Sequence, residues 1–516
     1  MQYVPIELYQ LVSNLLDTKS QIRMGTVSKL LHGMDIVKIK TKVITDDILM
    51  QRKFNRLVTL DYCRKQIFMY KGIYRISQRG IIGLNLVKLY IADNNNISDV
   101  SHMSNLKVLD ISGNCGVDQA GIRGLDLAKL NACNNKNIYD VSYMINLKVL
   151  NIRGTCGIDQ AGIRGLDLIE LYAGHNKNIY DISYMTNLKK LDVSNNNIGQ
   201  DNIKNLDLLE LNADYNRKII DVNHMANLKI LYAAYGSCIT QAGIQNLNLI
   251  ALHICNNNNI ANVSHMTNLK ILDVTWRMFD SCGVDQDGIK DLDLLRLYAS
   301  GNENIVDISH MTNLKVLSAS SCEEYGLSCI SQSSIKNLNL TELDIVDNNI
   351  ITDISHMTNL KYLNISGKCG IGQTNIQNLL LKDLNACNNK KITNVSFMTS
   401  LQKLNIAGKC GVNQQGIHNL FLTNLNAADN TKIINVSNMA TLKKLNIDND
   451  SGINQSGIQN LFLRSLSASY NTKITNVSFM TNLQKLNIGG DTNIDKNDIP
   501  SSLIYIYDKG NKNLNK

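Results

Sequence analysis

Proline is almost missing from this chain: two occur in 516 residues, Pro5 and Pro500, one near each end. The middle is therefore free of the residue that most strongly breaks ladders and helices. Aromatic residues make up only 5% and tryptophan occurs once. No apolar run of 18 residues occurs, so no membrane-spanning helix is expected. Residues 1–14 lack the basic region and long apolar run of a secretory signal, and the protein is expected to be intracellular and cytoplasmic. No Cys-x-x-Cys pair is present, so the twelve cysteines read as free thiols rather than zinc or redox sites. Gly-x-Ser-x-Gly, the P-loop, the dinucleotide fingerprint and His-Glu-x-x-His are all missing. The chain is not expected to be an enzyme, and no metal or cofactor is expected.

The length exceeds one compact core, which implies several domains or a repeat array. The formal net charge of +8 is unevenly placed. Residues 19–79 hold 14 Lys and Arg against 4 Asp, leaving 38 basic and 40 acidic residues elsewhere. A nucleic-acid solenoid needs cations along its binding surface, and the excess lies outside the array described next.

From Leu86 a Leu-x-x-Leu-x-apolar pattern restarts twenty times, ending at Leu483, with a partial copy at Leu503. The spacing is mostly 20 or 21 residues in alternation, so the unit is a pair of about 41. In the first member of each pair, the A turn, position 9 is always Asn (Asn94 to Asn471). Position 12 is always Ile, position 15 Val or Ile, and position 18 Met (Met103 to Met480). Side chains alternate across a strand, so positions 4 and 6 should point inward and 3, 5 and 7 outward. No single turn can bury its leucines alone; stacked turns can. The Asn amide suits backbone groups that leave the ladder, and Met fills an irregular core. Position 14 of the A turn, Asp or Asn throughout, suits the N-cap of a short helical turn.

The second member, the B turn, is typified by residues 114–122, Asn-Cys-Gly-Val-Asp-Gln-Ala-Gly-Ile. Cys115, Cys156, Cys369 and Cys410 share one column, and Cys133, Cys255 and Cys387 another, as expected of small, partly buried thiols. His102, His224, His265, His310 and His356 also share a column. Recurrence every second turn spaces them by about 10 Å, too far apart for one metal ion.

The repeat resembles the leucine-rich repeat, L-x-x-L-x-L-x-x-N/C-x-L. That resemblance implies an α/β repeat solenoid, a curved array with a parallel concave sheet and short helical or irregular convex turns. Twenty repeats would span residues 86–502, with a partial repeat and cap at 503–516. Residues 41–85 read as a basic linker and a degenerate first repeat around Leu57-Val58-Thr59-Leu60.

Residues 1–40 resemble an F-box, a small helical module. Val4-Pro5-Ile6-Glu7-Leu8 opens it and Val27-Ser28-Lys29 closes it about twenty residues later. Pro5 suits a helix start, and Leu8, Val12 and Leu15 follow at helical spacing. The resemblance implies docking on a Skp1-type adaptor of a cullin ubiquitin ligase through Val4, Pro5, Leu8, Val12, Leu15, Val27 and Lys29. The repeats would then hold the substrate protein. Repeat arrays of the internalin and phosphatase-regulating type, which carry similar Asp-Ile-Ser turns, offer the alternative of a stand-alone scaffold. Heavy use of Asn, Ile and Lys fits an AT-rich genome such as those of amoebae and their giant DNA viruses, in which case the location is the host cytoplasm.

Position 5 holds nine Asn, four Tyr (Tyr90, Tyr172, Tyr232, Tyr298), four Asp, two Ser and His253, with no Lys or Arg. Such a column favours a protein partner over a phosphate backbone, so neither nucleic acid nor membrane is expected. The B turns starting at Leu269 and Leu314 run to 25 and 26 residues. Their insertions carry Trp276, Phe279 and Tyr325, aromatic anchors of the kind favoured at interfaces. Apart from its complex the chain is expected to be monomeric.

Overall fold

The computed structural model describes residues 39–40, 59–61, 76–276, 282–321, 328–503 and 505–508. The F-box residues Val4, Pro5, Leu8, Val12, Leu15, Val27 and Lys29 lie outside the described residues, as do Phe279 and Tyr325. The chain divides into two compact units, residues 1–247 and 248–516.

Each unit is a stack of short parallel strands. Nearly all are three residues long and centred on the position-4 leucine, as in Lys88–Tyr90, where Leu89 is fully buried between two outward side chains. In the first unit these leucines align across the ladder from Leu89 through Leu109, Leu130, Leu150, Leu171, Leu191 and Leu211 to Leu231. Ahead of them, Thr59–Asp61 pairs with Lys88–Tyr90, and Ile39–Lys40 pairs with Thr59–Asp61. Among the described residues the sheet therefore begins within the stretch that resembles an F-box. The second unit repeats the register from Leu252 and Leu272 through to Leu486 opposite Ile506.

Unbroken alignment follows from the invariant spacing. A one-residue slip would turn every buried leucine into solvent, and each fully buried one contributes about 2 kcal/mol. Position 6, the Ile and Val of positions 12 and 15, and the Met column all lie inside; Met103 is 0% and Met439 4% exposed.

The A turns depart from one expectation. Their position-14 residue caps no helix. Asp99 Oδ1 accepts from the Ser101 N–H at 2.8 Å and its hydroxyl at 2.6 Å. The chain then makes two successive tight turns, Met103 N–H to the Val100 carbonyl (3.0 Å) and Leu106 N–H to the Met103 carbonyl (2.9 Å). The inward residues Val100, Met103 and Leu106 recur every three positions, which i to i+3 turns preserve and a 3.6-residue helix does not. The helical turns sit in the B members instead, as three- or four-residue pieces such as Ala120–Ile122 and Gln200–Ile203.

Hydrogen bonds from the following serine hold the carboxyls of Asp99, Asp181, Asp307 and Asp353 below their ordinary value of 3.8. A carboxyl depressed in the fold stabilises it above the unfolded value, and that contribution fades as pH falls through the folded one. Urea midpoints should therefore drop below about pH 4. Changing all four to Asn, the residue already present at Asn262, Asn394, Asn435 and Asn476, should flatten the drop, because the amide oxygen accepts at any pH. An equal acid loss in the variant would reject this assignment.

Candidate protein-binding face

The columns that do not vary are occupied with holding turns together. Asn135 is typical: its Nδ2 donates to the Ile111 carbonyl at 2.9 Å and the Val117 carbonyl at 3.3 Å in the preceding B turn. Its Oδ1 accepts from the Asn137 N–H at 2.9 Å. Asn176, Asn216 and Asn430 repeat the arrangement, all within 2% of full burial.

A second amide column was not singled out from the sequence. Gln119 reaches forward into the next A turn, its Nε2 donating to the Asp140 carbonyl at 2.7 Å. Its Oε1 accepts from the N–H groups of Tyr139 and Asp140 at 3.0 and 2.9 Å. Gln160, Gln200, Gln286, Gln332, Gln373, Gln414 and Gln455 do the same. The signal was available: the equivalent position is Gln in nine of the ten B turns, and Lys496 in the tenth.

The histidine column belongs to this scaffold as well. Nε2 of His102, His224, His310 and His356 lies 3.0–3.3 Å from the carbonyl of an Ile 21 residues earlier. The hydroxyls of Tyr143 and Tyr184 make the same bond, while Phe397 and Phe479 fill the column without a donor. Among the described residues no three His, Cys, Asp or Glu side chains converge on a point where a metal could sit.

Recognition is left to the outward positions. Tyr90, Tyr172 and Tyr232 lie half-buried on the first unit's sheet face, and Tyr298 on the second's. They do not converge. Two strands separate Tyr172 from Tyr232 in the ladder, so they stand about 14 Å apart. Position 3 faces the same way and is not cation-free: it carries Lys88, Lys129 and Lys190 in the first unit and Arg296, Lys403, Lys444 and Lys485 in the second. The freedom from cations seen at position 5 thus describes half of the face.

The densest grouping lies around Tyr172. Arg153 pairs with the buried carboxylate of Asp192, and its guanidinium lies 5.8 Å from the Tyr172 ring centre. The Tyr172 hydroxyl donates to Glu170 at 2.9 Å. Lys190 sits between Glu170 (3.9 Å) and Glu210 (3.6 Å). Burial, then the Glu170 contact, pushes the Tyr172 hydroxyl up to about 12, so it remains a donor. In the second unit the same face forms an open cleft of about 290 Å³, lined by Lys403, Asn405, Asn426, Lys444, Asn446 and Ser467 among others.

The rim of the face holds the clearest departure from economy. Position 8, three residues beyond the end of each strand, adopts left-handed backbone in most turns, which explains its Gly, Asn and Asp. Tyr215 and Tyr235 occupy it with φ of 56° and 54°. Such backbone costs an ordinary side chain about 1–2 kcal/mol. Their rings stack at 5.0 Å with planes 7° apart, and Tyr215 is 51% exposed. Two adjacent strained and partly exposed aromatics are a recognised mark of a functional surface. A tyrosine in a column otherwise rich in Gly, Asn and Asp was the available signal.

Trp276, half-buried, occupies position 8 of the Leu269 turn, and Ser321 the same position of the Leu314 turn. Both insertions follow it. The described chain resumes at Cys282 and Ser328, which are buried in the column shared by Cys115, Cys156, Cys369 and Cys410. Burial pushes these four thiols up to about 11 and Cys282 to about 12, so they are poor nucleophiles. In the native chain a thiol reagent at neutral pH should spare all five while reacting at the half-exposed Cys133 and Cys387. Peptide mapping checks this; rapid native labelling of Cys115 would contradict its placement.

No family model matches the chain, and no curated protein does. Among solved structures, the chain is similar to the TLR13–ssRNA13 complex at 16% identity over 92% of this chain and 78% of that one, with a TM-score of 0.39. It is similar to an internalin (inlF) of Listeria monocytogenes at 17% identity over 70% and 86%, TM-score 0.28. It is also similar to LRR protein LIC12759 of Leptospira interrogans at 16% identity over 87% and 98%, TM-score 0.30. With parallel strands in one register, inward leucines and an asparagine at each A-turn corner, each of the two units is a leucine-rich-repeat solenoid.

Proposed function

We propose that this chain is a protein-binding adaptor whose first unit holds its partner on the sheet face and the rim beside it. The observation that carries the reading is the stacked pair Tyr215 and Tyr235, kept in left-handed backbone where the rest of the column is mostly small or amide-bearing. Large, rigid rings beside a face of mixed charge are the kind of anchor that dominates protein interfaces. The second half of the proposal is that residues 1–40 are an F-box. It would tether the partner to a Skp1-type adaptor of a cullin ubiquitin ligase through Val4, Pro5, Leu8, Val12, Leu15, Val27 and Lys29.

Both halves have a direct experiment. Tyr215→Asn with Tyr235→Gly returns the column to its common residues and should raise stability by about 1 kcal/mol through relief of strain. The same variant should lose at least about tenfold in partner affinity in affinity purification of the full chain. Unchanged partner recovery rejects the site. Co-purification of a Skp1-type protein should disappear with Leu8→Asp and Leu15→Asp. If no such protein co-purifies while the sheet-face partner remains, the chain is a stand-alone scaffold.

A further inference from the structure

In the first unit the edge where each B turn passes into the next A turn carries a polar column beside the exposed Ile169 and Leu209. The last residue of each B turn there, position 21 or 20, is a carboxylate that joins a lysine and an asparagine. Asp126 accepts from Lys107 at 2.7 Å and from Asn146 at 2.9 Å. Asp167 accepts from Asn187 at 2.9 Å and pairs with Lys148 at 3.5 Å. Asp207 accepts from Asn227 at 2.7 Å.

In three consecutive B turns of the second unit, those starting at Leu360, Leu401 and Leu442, that position becomes Leu380, Phe421 and Phe462, which are 58%, 67% and 56% exposed. The neighbouring columns change with it. The partner asparagine becomes Ser400 and Thr441 in two of the three turns, and the lysine becomes Gln402 in one. Position 2 of the A turns, apolar at Val87, Ala128, Ile169 and Leu209, becomes Lys382, Thr423 and Arg464. Backbone hydrogen bonds place Lys382 beside Lys361 (2.9 Å) and Arg464 beside Lys443 (2.8 Å). None of these four cations forms an ion pair among the described residues.

We infer that this edge is a docking surface for an acidic amphipathic helix of a partner protein, separate from the sheet face of the first unit. The three apolar side chains expose on the order of 300 Å², the size at which surface patches become functional. They recur every second strand, about 9.6 Å apart. A helix advances about 10.5 Å in seven residues, so apolar residues at every seventh position meet successive members of the stripe. Charge selects the rest of the occupant. Lys361, Lys382, Lys443 and Arg464 flank the stripe with no carboxylate at position 21 to balance them, so glutamates beside the apolar positions of the helix replace the lost aspartates.

The test uses the full chain and a synthetic peptide of about 20 residues with leucine along a seven-residue stripe and glutamate on either side. Fluorescence anisotropy should show binding that weakens as salt is raised. The triple variant Leu380→Asp, Phe421→Asp and Phe462→Asp restores the residue that the first unit's turns already fold around, and should bind the peptide at least about tenfold more weakly. The Tyr215→Asn, Tyr235→Gly chain should bind it normally, which keeps this surface distinguishable from the sheet-face site. No binding of the peptide overturns the inference. Equal affinity of the triple variant, equal binding of a lysine counterpart, or capture by phosphatidylserine vesicles instead of the peptide would each do so too.

Discussion

Asn135→Leu should lower the stability of the chain by about 4 kcal/mol, the largest effect expected of any single substitution in the array. The side chains are nearly the same size, so the loss comes from hydrogen bonds. Leucine leaves the carbonyls of Ile111 and Val117 and the Asn137 N–H without the partners they have in the native fold. A buried polar group left unsatisfied costs about 1–3 kcal/mol. Asn135→Asp should be nearly as damaging at neutral pH, because it keeps the acceptor but points a carboxylate at two carbonyls. Exposed Asn95, which follows the equivalent Asn94 of the preceding A turn, is the control, and Asn95→Leu should change stability by less than about 0.5 kcal/mol. Urea unfolding followed by circular dichroism measures both. A change below about 1 kcal/mol for Asn135→Leu would leave the invariant column without a structural cause.

The second expectation concerns two ways of building the B-turn corner. In the usual form, position 13 is Asp, Asn or Thr and position 16 is Gly. The Asp159 carboxylate accepts from the Ala161 and Gly162 N–H groups at 3.0 and 3.1 Å. A Cβ on Gly162 would lie 2.1 Å from the Tyr139 carbonyl oxygen. Two turns use the reverse arrangement: Gly199 N–H donates to Asn202 Oδ1 at 2.9 Å, and Gly372 N–H to Asn375 Oδ1 at 3.0 Å. There the helical turn begins one residue earlier and has four residues, Gln200–Ile203 and Gln373–Ile376.

Gly162→Asn alone should therefore cost about 3 kcal/mol through backbone collision, and Asp159→Gly alone about 1 kcal/mol through the lost cap. Together they should convert the corner to the second form and recover about 1–3 kcal/mol of the sum. Strict additivity in the double-mutant cycle would show that the two corners are not alternative solutions to one packing problem.

The ladder and its core were legible before any coordinates because they rest on apolar spacing, which a stack of turns enforces twenty times over. The Asn and Met columns could be placed inside for the same reason. Polar columns were harder. The Gln of the B turn is nearly as regular as the Asn, yet it lies at the surface, where regularity looks like composition until its bonds to the next turn are seen. The Asp at position 14 was read as a helix cap because Asp-x-Ser suits both an N-cap and a tight turn; only the three-residue spacing of Val100, Met103 and Leu106 separates the two. Position 5 taken alone misses positions 3 and 7, which carry the Lys190, Glu170 and Arg153 grouping around Tyr172. The strained tyrosines escaped notice because backbone handedness at position 8 is inherited from neighbouring turns rather than written in the residue itself.

The two kinds of contact between successive turns are not interchangeable. From B to the following A, the chain is joined by side-chain amides, Asn reaching back and Gln reaching forward. From A to the following B, backbone approaches backbone through glycines such as Gly116 and Gly121, whose Cβ atoms would lie 2.7 Å and 2.1 Å from carbonyl oxygens of the A turn. A recombination event that removed one turn would set two like members side by side, with amides facing no acceptor or side chains crowding a gap made for hydrogen. Lengthening or shortening the protein is thus restricted to even steps, and natural or engineered descendants should differ in size by whole pairs of turns.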